Sequence, residues 1–412
     1  MAGELSDRET VQLRLAWYAF GFLLFFWVVR QAGYAMSWWK GEDLHLWVTW
    51  GLSAMNSAGY ISIFFVFQFA SRAAARERLY WLLAAICAEF WIFINRPYTW
   101  DLLTRFKAMG LGFGLVGLIA IFRSSRSKDR PHHWTYLMLV SLLTFLYPRL
   151  SDFLLSRLSA VTPRIYDPTA IRMDQLWAFS FWQSERSQLY GFLELAYVML
   201  PLWLGVCLYV SFFKVARTSF SFLAAYLLST GLAFLTYAAL PMIGPQAFTR
   251  LSSTWDGGMA ALDWSVLVTN TNARNCTPSL HVTWAILVYK CLADLGWLPR
   301  ILAAIFLMAT MLAIFPVGDH YLLDLGVAIP FSYGVFCLTR WERKTTRGLL
   351  ALGVFWAWVL GCRFVPDWLC GHPNLTRLAE LVTGLGFGAA LFLPDWRPRQ
   401  ASDISSGATG NP

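Results

Sequence analysis

The stretch ILAAIFLMATMLAIFPVGDHYLLD, residues 301–324, decides the fold. From Ile301 to Gly318 it carries no charge, and Asp319, His320 and Asp324 then follow close together. An uncharged run of that length approaches the roughly 20 residues that a helix needs to cross a bilayer. Outward from it, apolar runs recur near residues 15–30, 45–70, 79–94, 109–122, 134–148, 190–212, 219–243, 279–297, 300–316, 320–339, 348–364 and 379–393. The fold class expected is all-α: a polytopic transmembrane helical bundle of about twelve spans, in a range of roughly 10–12. Composition agrees, since 57% of the 412 residues are hydrophobic and only 14% are charged, where soluble domains carry about 25% charged residues.

The formal net charge of +9 does not point to nucleic acid, because the bases sit between apolar runs and not on one solvated face or tail. Arg72, Arg76 and Arg78 follow the second run, Arg123, Arg126, Lys128 and Arg130 the fourth, and Lys214 and Arg217 the sixth. Arg300 follows the eighth, Arg340, Arg343, Lys344 and Arg347 the tenth, and Arg397 and Arg399 the last. Each of these clusters follows an even-numbered span, and the positive-inside bias then puts both termini in the cytoplasm. Stretches 149–189, 244–278, 317–320 and 365–378 face out in this scheme. No cleavable signal is evident, because Glu4, Asp7 and Glu9 precede the first run and no small-residue cleavage site follows. The expected localisation is a multi-pass protein of the cell inner or plasma membrane.

These boundaries divide the chain into an N-terminal membrane domain of about five spans (1–148), an outer loop (149–189), a core (190–345), two C-terminal spans (346–396) and a disordered tail (397–412). In the outer loop, Trp177, Phe179, Phe181 and Trp182 lie between Arg172 and Asp174 on one side and Glu185 and Arg186 on the other; an interfacial amphipathic helix and an ordinary ordered loop both fit. Of seven cysteines, Cys87, Cys207, Cys291 and Cys337 lie inside apolar runs and no CxxC pair occurs, so no metal cluster is expected. Cys276, Cys362 and Cys370 are placed to meet an oxidising compartment, and a disulfide among them is left open.

Two of the six histidines sit at the outer ends of apolar runs, within Cys276-Thr277-Pro278-Ser279-Leu280-His281 and Gly318-Asp319-His320-Tyr321-Leu322-Leu323-Asp324. Pro278 suits a first helical turn, and the free N–H groups of a helix start attract phosphate oxygens, with His281 one turn inside. His320 and Asp324, four apart, share a face if they lie on a helix. A carboxylate that accepts from one imidazole nitrogen fixes the tautomer and leaves the other nitrogen nucleophilic. One crossing separates the motifs, so both histidines return to the same face. Other intramembrane polar residues include Glu89, Glu194, Lys290 and Asp294. Lys290 and Asp294 read as a structural i,i+4 pair, and Glu194 is a candidate headgroup contact.

Pro278-Ser279-Leu280-His281 followed by His320-Tyr321-Leu322-Leu323-Asp324 resembles the second and third motifs of the type 2 phosphatidic acid phosphatase superfamily. The His-Tyr-x-x-Asp form is most similar to its lipid phosphotransferase branch, the inositol phosphorylceramide and sphingomyelin synthases. Pro241-Met242-Ile243-Gly244-Pro245-Gln246 resembles the proline-rich end of the preceding core helix in that branch. The resemblance covers roughly residues 190–340 and implies a core helical bundle without metal or other cofactor. It implies that His320 attacks phosphorus, Asp324 orients it, and His281 protonates the departing alkoxide before water or an alcohol takes the phosphoryl group.

The chain departs from the phosphatase pattern. No Lys-x6-Arg-Pro precedes His281, and Ala313-Ile314 stand where the superfamily has Ser-Arg. Developing phosphoryl charge still needs positive partners. Arg274 and then Arg250 are the nearest outer-side candidates, with Ser279 in the same turn as phosphate-binding residue. The loss of the usual clamps favours a phosphotransferase acting on a membrane lipid of phospholipid, polyprenyl or sphingolipid type, with a lipid phosphate phosphatase as the alternative. A transporter is the alternative of another class, but its paired charges belong at the bilayer midplane in two related halves, and here the triad lies at one face.

Overall fold

The computed structural model describes residues 8, 10–18, 21, 54–70, 74–94, 110–125, 131–174, 188–213, 218–252, 263–268, 274–342 and 344–392. Most of the first expected run, the aromatic stretch Trp177 to Arg186, the basic residues Arg72, Arg126, Lys128, Arg130, Lys214, Arg217 and Arg343, and the tail lie outside these residues.

Helices α1 (Ala54–Ala70), α2 (Ala75–Ile94), α3 (Leu111–Ser125) and α4 (Pro131–Val161) form the N-terminal group. Glycines set their spacing. A Cβ on Gly114 would stand 2.8 Å from the Cβ of Tyr60, and one on Gly117 would stand 3.0 Å from the Cα of Phe64, so α3 lies on α1 in the close manner that small residues permit. Glu89, buried on α2, accepts from the Gly112 N–H at 2.7 Å. This carboxylate is thus a tie between helices.

Helix α4 runs past the expected end at 148, because Leu154, Leu155 and Leu158 continue the helical spacing and pack on the main core. Beyond it come β1 (Arg164–Ile165) and α5 (Asp167–Asp174), then α6 (Gln188–Val198), α7 (Leu200–Phe213), α8 (Phe222–Ala239) and α9 (Pro245–Ser252). Strand β2 (Val266–Leu267) pairs antiparallel with β1, with Ile165 opposite Val266, a small departure from the all-helical expectation. Helices α10 (Leu280–Ala293), α11 (Trp297–Val317), α12 (Leu322–Thr339), α13 (Thr345–Phe364), α14 (Pro366–Gly371) and α15 (Pro373–Phe392) complete the order.

Six helical segments among the described residues are long and apolar enough to cross a membrane: Gly191–Ser211, which joins α6 to α7, Phe222–Ala239, Trp297–Ile314, Leu322–Thr339, Thr345–Phe364 and Pro373–Phe392. Helices α3, α4 and α10 hold shorter apolar stretches. Together they point to a multi-pass membrane protein. One large core cluster joins α6–α8 to α10–α13, with α10 central: Val282, Ala285, Ile286, Leu287, Val288 and Cys291 are fully buried on it.

The two ends of this bundle differ. At one end, Ser221 donates its N–H to Thr339 O at 3.0 Å, Trp341 donates to Ser219 O at 3.2 Å, and Gln12 Nε2 donates to Ser221 Oγ at 2.7 Å. Lys290 donates to Leu391 O at 2.6 Å and Asp294 accepts from the Ser219 N–H at 2.9 Å. The expected Lys290–Asp294 pair therefore ties α10 to two other elements. At the other end, α8 finishes, α10 and α12 begin, and both histidine motifs meet.

Candidate active site

Ser279 is the N-cap of α10, and its hydroxyl accepts from the Val282 N–H at 3.4 Å. Pro278 thus precedes the cap instead of occupying the first turn, and His281 stands inside that first turn. Its ring stacks on Tyr197 of α6, with centroids 3.7 Å apart and 16° between planes. Tyr197 in turn donates from its hydroxyl to Asp319 Oδ2 at 3.2 Å. Nε2 of His281 is buried with no hydrogen-bond partner among the described residues. The ring of His320 lies 6.0 Å away, edge to face.

Helix α12 begins at Leu322, with Tyr321 as N-cap. His320 is therefore ahead of the helix, and it meets Asp324 across the cap, not along a helical face. Asp324 folds back: its Oδ2 accepts from the Tyr321 N–H at 2.7 Å, as the acid of a capping box does. The same oxygen lies 3.4 Å from His320 Nδ1 and accepts from Cys276 Sγ at 2.8 Å. Thr277 Oγ1 donates to Oδ1. His320 Nδ1 is also 2.9 Å from the Cys276 carbonyl. Carbonyl and carboxylate oxygens only accept, so Nδ1 carries the proton and the neutral ring keeps its lone pair on Nε2. Burial alone would lower the pKa of His320, but the hydrogen bond and charge of Asp324, with the charge of Asp319, raise it.

Cys276, His320 and Asp324 bring three potential metal-ligand atoms within 4.8 Å of one another. Each is committed to hydrogen bonds, and burial followed by the charges of Asp324 and Asp167 pushes the Cys276 thiol well up. The three side chains hold one another as a hydrogen-bonded cluster. Cys276 accordingly does not form a disulfide; Cys362 lies against Met173 Sδ, Cys370 against Thr169 O, and all three are free thiols.

The segment expected as an outer loop supplies two residues that the sequence reading missed. Asp167, fully buried at the start of α5, accepts from the N–H groups of Ile243 at 3.0 Å and Gly244 at 2.9 Å, and from the Tyr321 hydroxyl at 2.8 Å. Burial raises its carboxyl to about 7 despite those hydrogen bonds. Asp174, at the other end of α5, accepts from Leu322 N at 2.6 Å and Leu323 N at 3.2 Å, so it caps α12 from outside. Burial and then the charge of Glu380 raise its pKa. The Pro241–Gln246 stretch completes the floor. Gly244 has φ +88°, and a Cβ there would stand 2.5 Å from Asp319 O.

Arg274 is fully buried and donates to Thr162 O at 3.4 Å and Val268 O at 3.3 Å, stitching the chain on either side of the β1–β2 ribbon. Burial lowers its pKa and the charge of Asp167 works against that shift. Arg250 is exposed on α9. The structure thus groups His281, His320, Asp324 and Ser279, while Arg274 faces backbone carbonyls behind them. Glu194 is half-buried on α6, one turn before Tyr197.

Residues 168–338 match a family model described as the PAP2 superfamily. The match covers under half of the chain and includes both histidine motifs. It supports a function of the lipid phosphatase or phosphotransferase type. No curated protein and no solved structure matches the chain.

Proposed function

We propose that the chain is a membrane enzyme that cleaves and transfers the phosphate ester of a lipid through a phosphohistidine at His320. The observation that carries this reading is the held Nδ1 of His320, between Cys276 O and Asp324 Oδ2, which leaves the Nε2 lone pair for attack. In the first step a bond forms from Nε2 to phosphorus, the bond to the leaving oxygen breaks, and protonated His281 gives its Nε2 proton to that oxygen. The second step reverses the roles: His281 takes the proton of an acceptor hydroxyl as its oxygen attacks phosphorus and the P–N bond breaks. Asp324 keeps the imidazole oriented and balances its positive charge while phosphorus is bound.

Transfer of an inositol- or other headgroup-phosphate to an alcohol is favoured over hydrolysis, because the lysine and arginines of the phosphatase pattern are replaced here. Arg250 meets the headgroup, Arg274 supports the site from behind, and Ser279 holds the first turn of α10 open to phosphate oxygens. The core belongs to a bundle of about twelve spans with both termini inside, which sets the histidines on the extracytoplasmic face. The Gln12–Ser221 bond at the end opposite the histidines supports an inside N-terminus.

The test is to incubate purified protein with labelled phospholipids and candidate alcohol acceptors. A new labelled phosphodiester, with acid-labile label on the protein that is absent from His320→Ala, is expected. Release of headgroup phosphate, or of free phosphate from phosphatidic acid, with no new phosphodiester would make the enzyme a hydrolase, and label on the protein of His320→Ala would remove the nucleophile assignment. For sidedness, Ser253→Cys should react with an impermeant thiol reagent from outside; labelling only after permeabilisation would reverse the topology.

A further inference from the structure

Helix α5 is eight residues long and touches the site without containing any of its reacting groups. Its two acidic residues reach the same short piece of chain. Asp167 bonds the hydroxyl of Tyr321, the residue next to His320, and Asp174 bonds the N–H groups of Leu322 and Leu323, the next two residues. Three consecutive residues after the nucleophile are thus held by one helix, seven residues or about two turns apart. Asp167 also fixes Ile243 and Gly244, and Gly244 lies so close to Asp319, on the other side of His320 in the chain, that a Cβ there would stand 2.5 Å from the Asp319 carbonyl oxygen. Both carboxylates are buried, at 0% and 6% exposure. Buried carboxylates are costly unless hydrogen-bonded, and these spend their bonds on the flanks of one histidine.

We infer that α5 is a positioning clamp for His320, with Asp167 and Asp174 as its two jaws and Tyr321 as the grip. This rests on the reading of His320 as nucleophile. Asp324 sets the ring's tautomer, whereas the clamp sets where the ring stands. Arg274 belongs to the clamp's mount, because its guanidinium bonds the backbone on both sides of the ribbon from which α5 departs. Supporting residues of this kind typically change activity about 10–100-fold when removed, and a displacement of about 1 Å at a reacting atom has a similar effect.

The test uses the full chain in lipid vesicles with fluorescent phosphatidylinositol and fluorescent phosphatidic acid, following whichever the wild type turns over. Tyr321→Phe, which removes one hydroxyl, and Asp167→Asn should each lower kcat about tenfold and leave KM within about twofold. The double variant should be no slower than the slower single, because both remove one bond. Asp174→Asn should lower kcat at least as much. A second readout needs no turnover: carbethoxylation of His320 by diethylpyrocarbonate, followed by mass spectrometry, should quicken severalfold in these variants while exposed His372 is unchanged. Wild-type kcat in both Tyr321→Phe and Asp167→Asn, or additive losses, would overturn the clamp. A wild type inert on every ester would overturn the enzymatic reading alone, and unchanged His320 reactivity would then dispose of the clamp separately.

Discussion

The starts of α10 and α12 look alike in sequence, each a histidine at the head of an apolar helix, yet they are built in opposite ways. At α12 the N–H groups of Tyr321, Leu322 and Leu323 are taken by Asp324 and Asp174. The partial positive charge of that helix start is thus already matched by two carboxylates. At α10 the cap is the neutral Ser279, and no carboxylate is bonded to its first turn among the described residues. His320 has its Nδ1 fixed between two acceptors, while His281 is placed by stacking on Tyr197 and keeps Nε2 unbonded. A helix start filled with acids holds its histidine still; one left uncharged can receive an anion. The lesson is that a motif's spacing shows where a histidine stands, and the hydrogen-bonding of its neighbours shows what it can do.

The contrast breaks most visibly at His320. His320→Ala should lower phosphoryl transfer by at least about 10³-fold, with folding near normal, since removing a nucleophile leaves only binding and electrostatic catalysis; activity within tenfold of wild type would end the assignment. His281→Ala should cost about 10²–10⁴-fold, the usual range for a general acid. The loss should shrink for an ester with an acidic leaving group such as p-nitrophenol, which departs without a proton. An equal loss on both substrates would show that His281 does not donate to the leaving oxygen.

Two smaller effects sharpen the picture. Because its neighbours raise the pKa of His320, the acidic limb of the rate profile should lie above the ordinary 6.5, rate rising with pH as Nε2 loses its proton. A limb at or below 6.5 would mean that Asp324 does not control the ring. Asp167 titrates from 3.8 to about 7 on folding, so the folded chain holds the extra proton between those values. Its contribution to stability is therefore fully present below about 3.8 and is lost as pH rises through about 7. Melting of Asp167→Asn should lack that fall, whereas an unchanged pH dependence would place the titration elsewhere. Ser279→Ala should have the smallest effect, about 1 kcal/mol for a lost N-cap, read as a drop of a few degrees in melting temperature.

The sequence pointed to the parts of this candidate site that are local and missed the links that are distant. His281, His320 and Asp324 were legible because each motif is short and its residue types have few other joint uses. The start of α12 was misplaced by two residues, because an i,i+4 pair reads as helical even where a capping acid makes the same contact. Asp167 and Asp174 reach partners 154 and 148 positions away, and no local pattern reports such a link. Asp167-Pro168 did offer a helix-start signal, which marks an element without naming what it holds. Arg274 looked like a phosphate clamp on charge and position alone; burial against carbonyl groups was not visible in either. The apolar runs from 190 onward were read well because length and lack of charge are sufficient there, apart from the break near Met199, where Pro201 cannot donate an N–H.

Helix α10 has fourteen residues, which at the usual rise is about 21 Å, well short of the roughly 30 Å hydrocarbon layer. Its far end is moored through Asp294 to Ser219, so the shortfall falls at the end that carries His281. On the proposed reading, His281 and His320 would then lie below the ends of the longer neighbouring helices. On that reading a phosphate held at headgroup level would reach the pair by descending, or where the bilayer thins to meet it, and turnover should vary with membrane thickness.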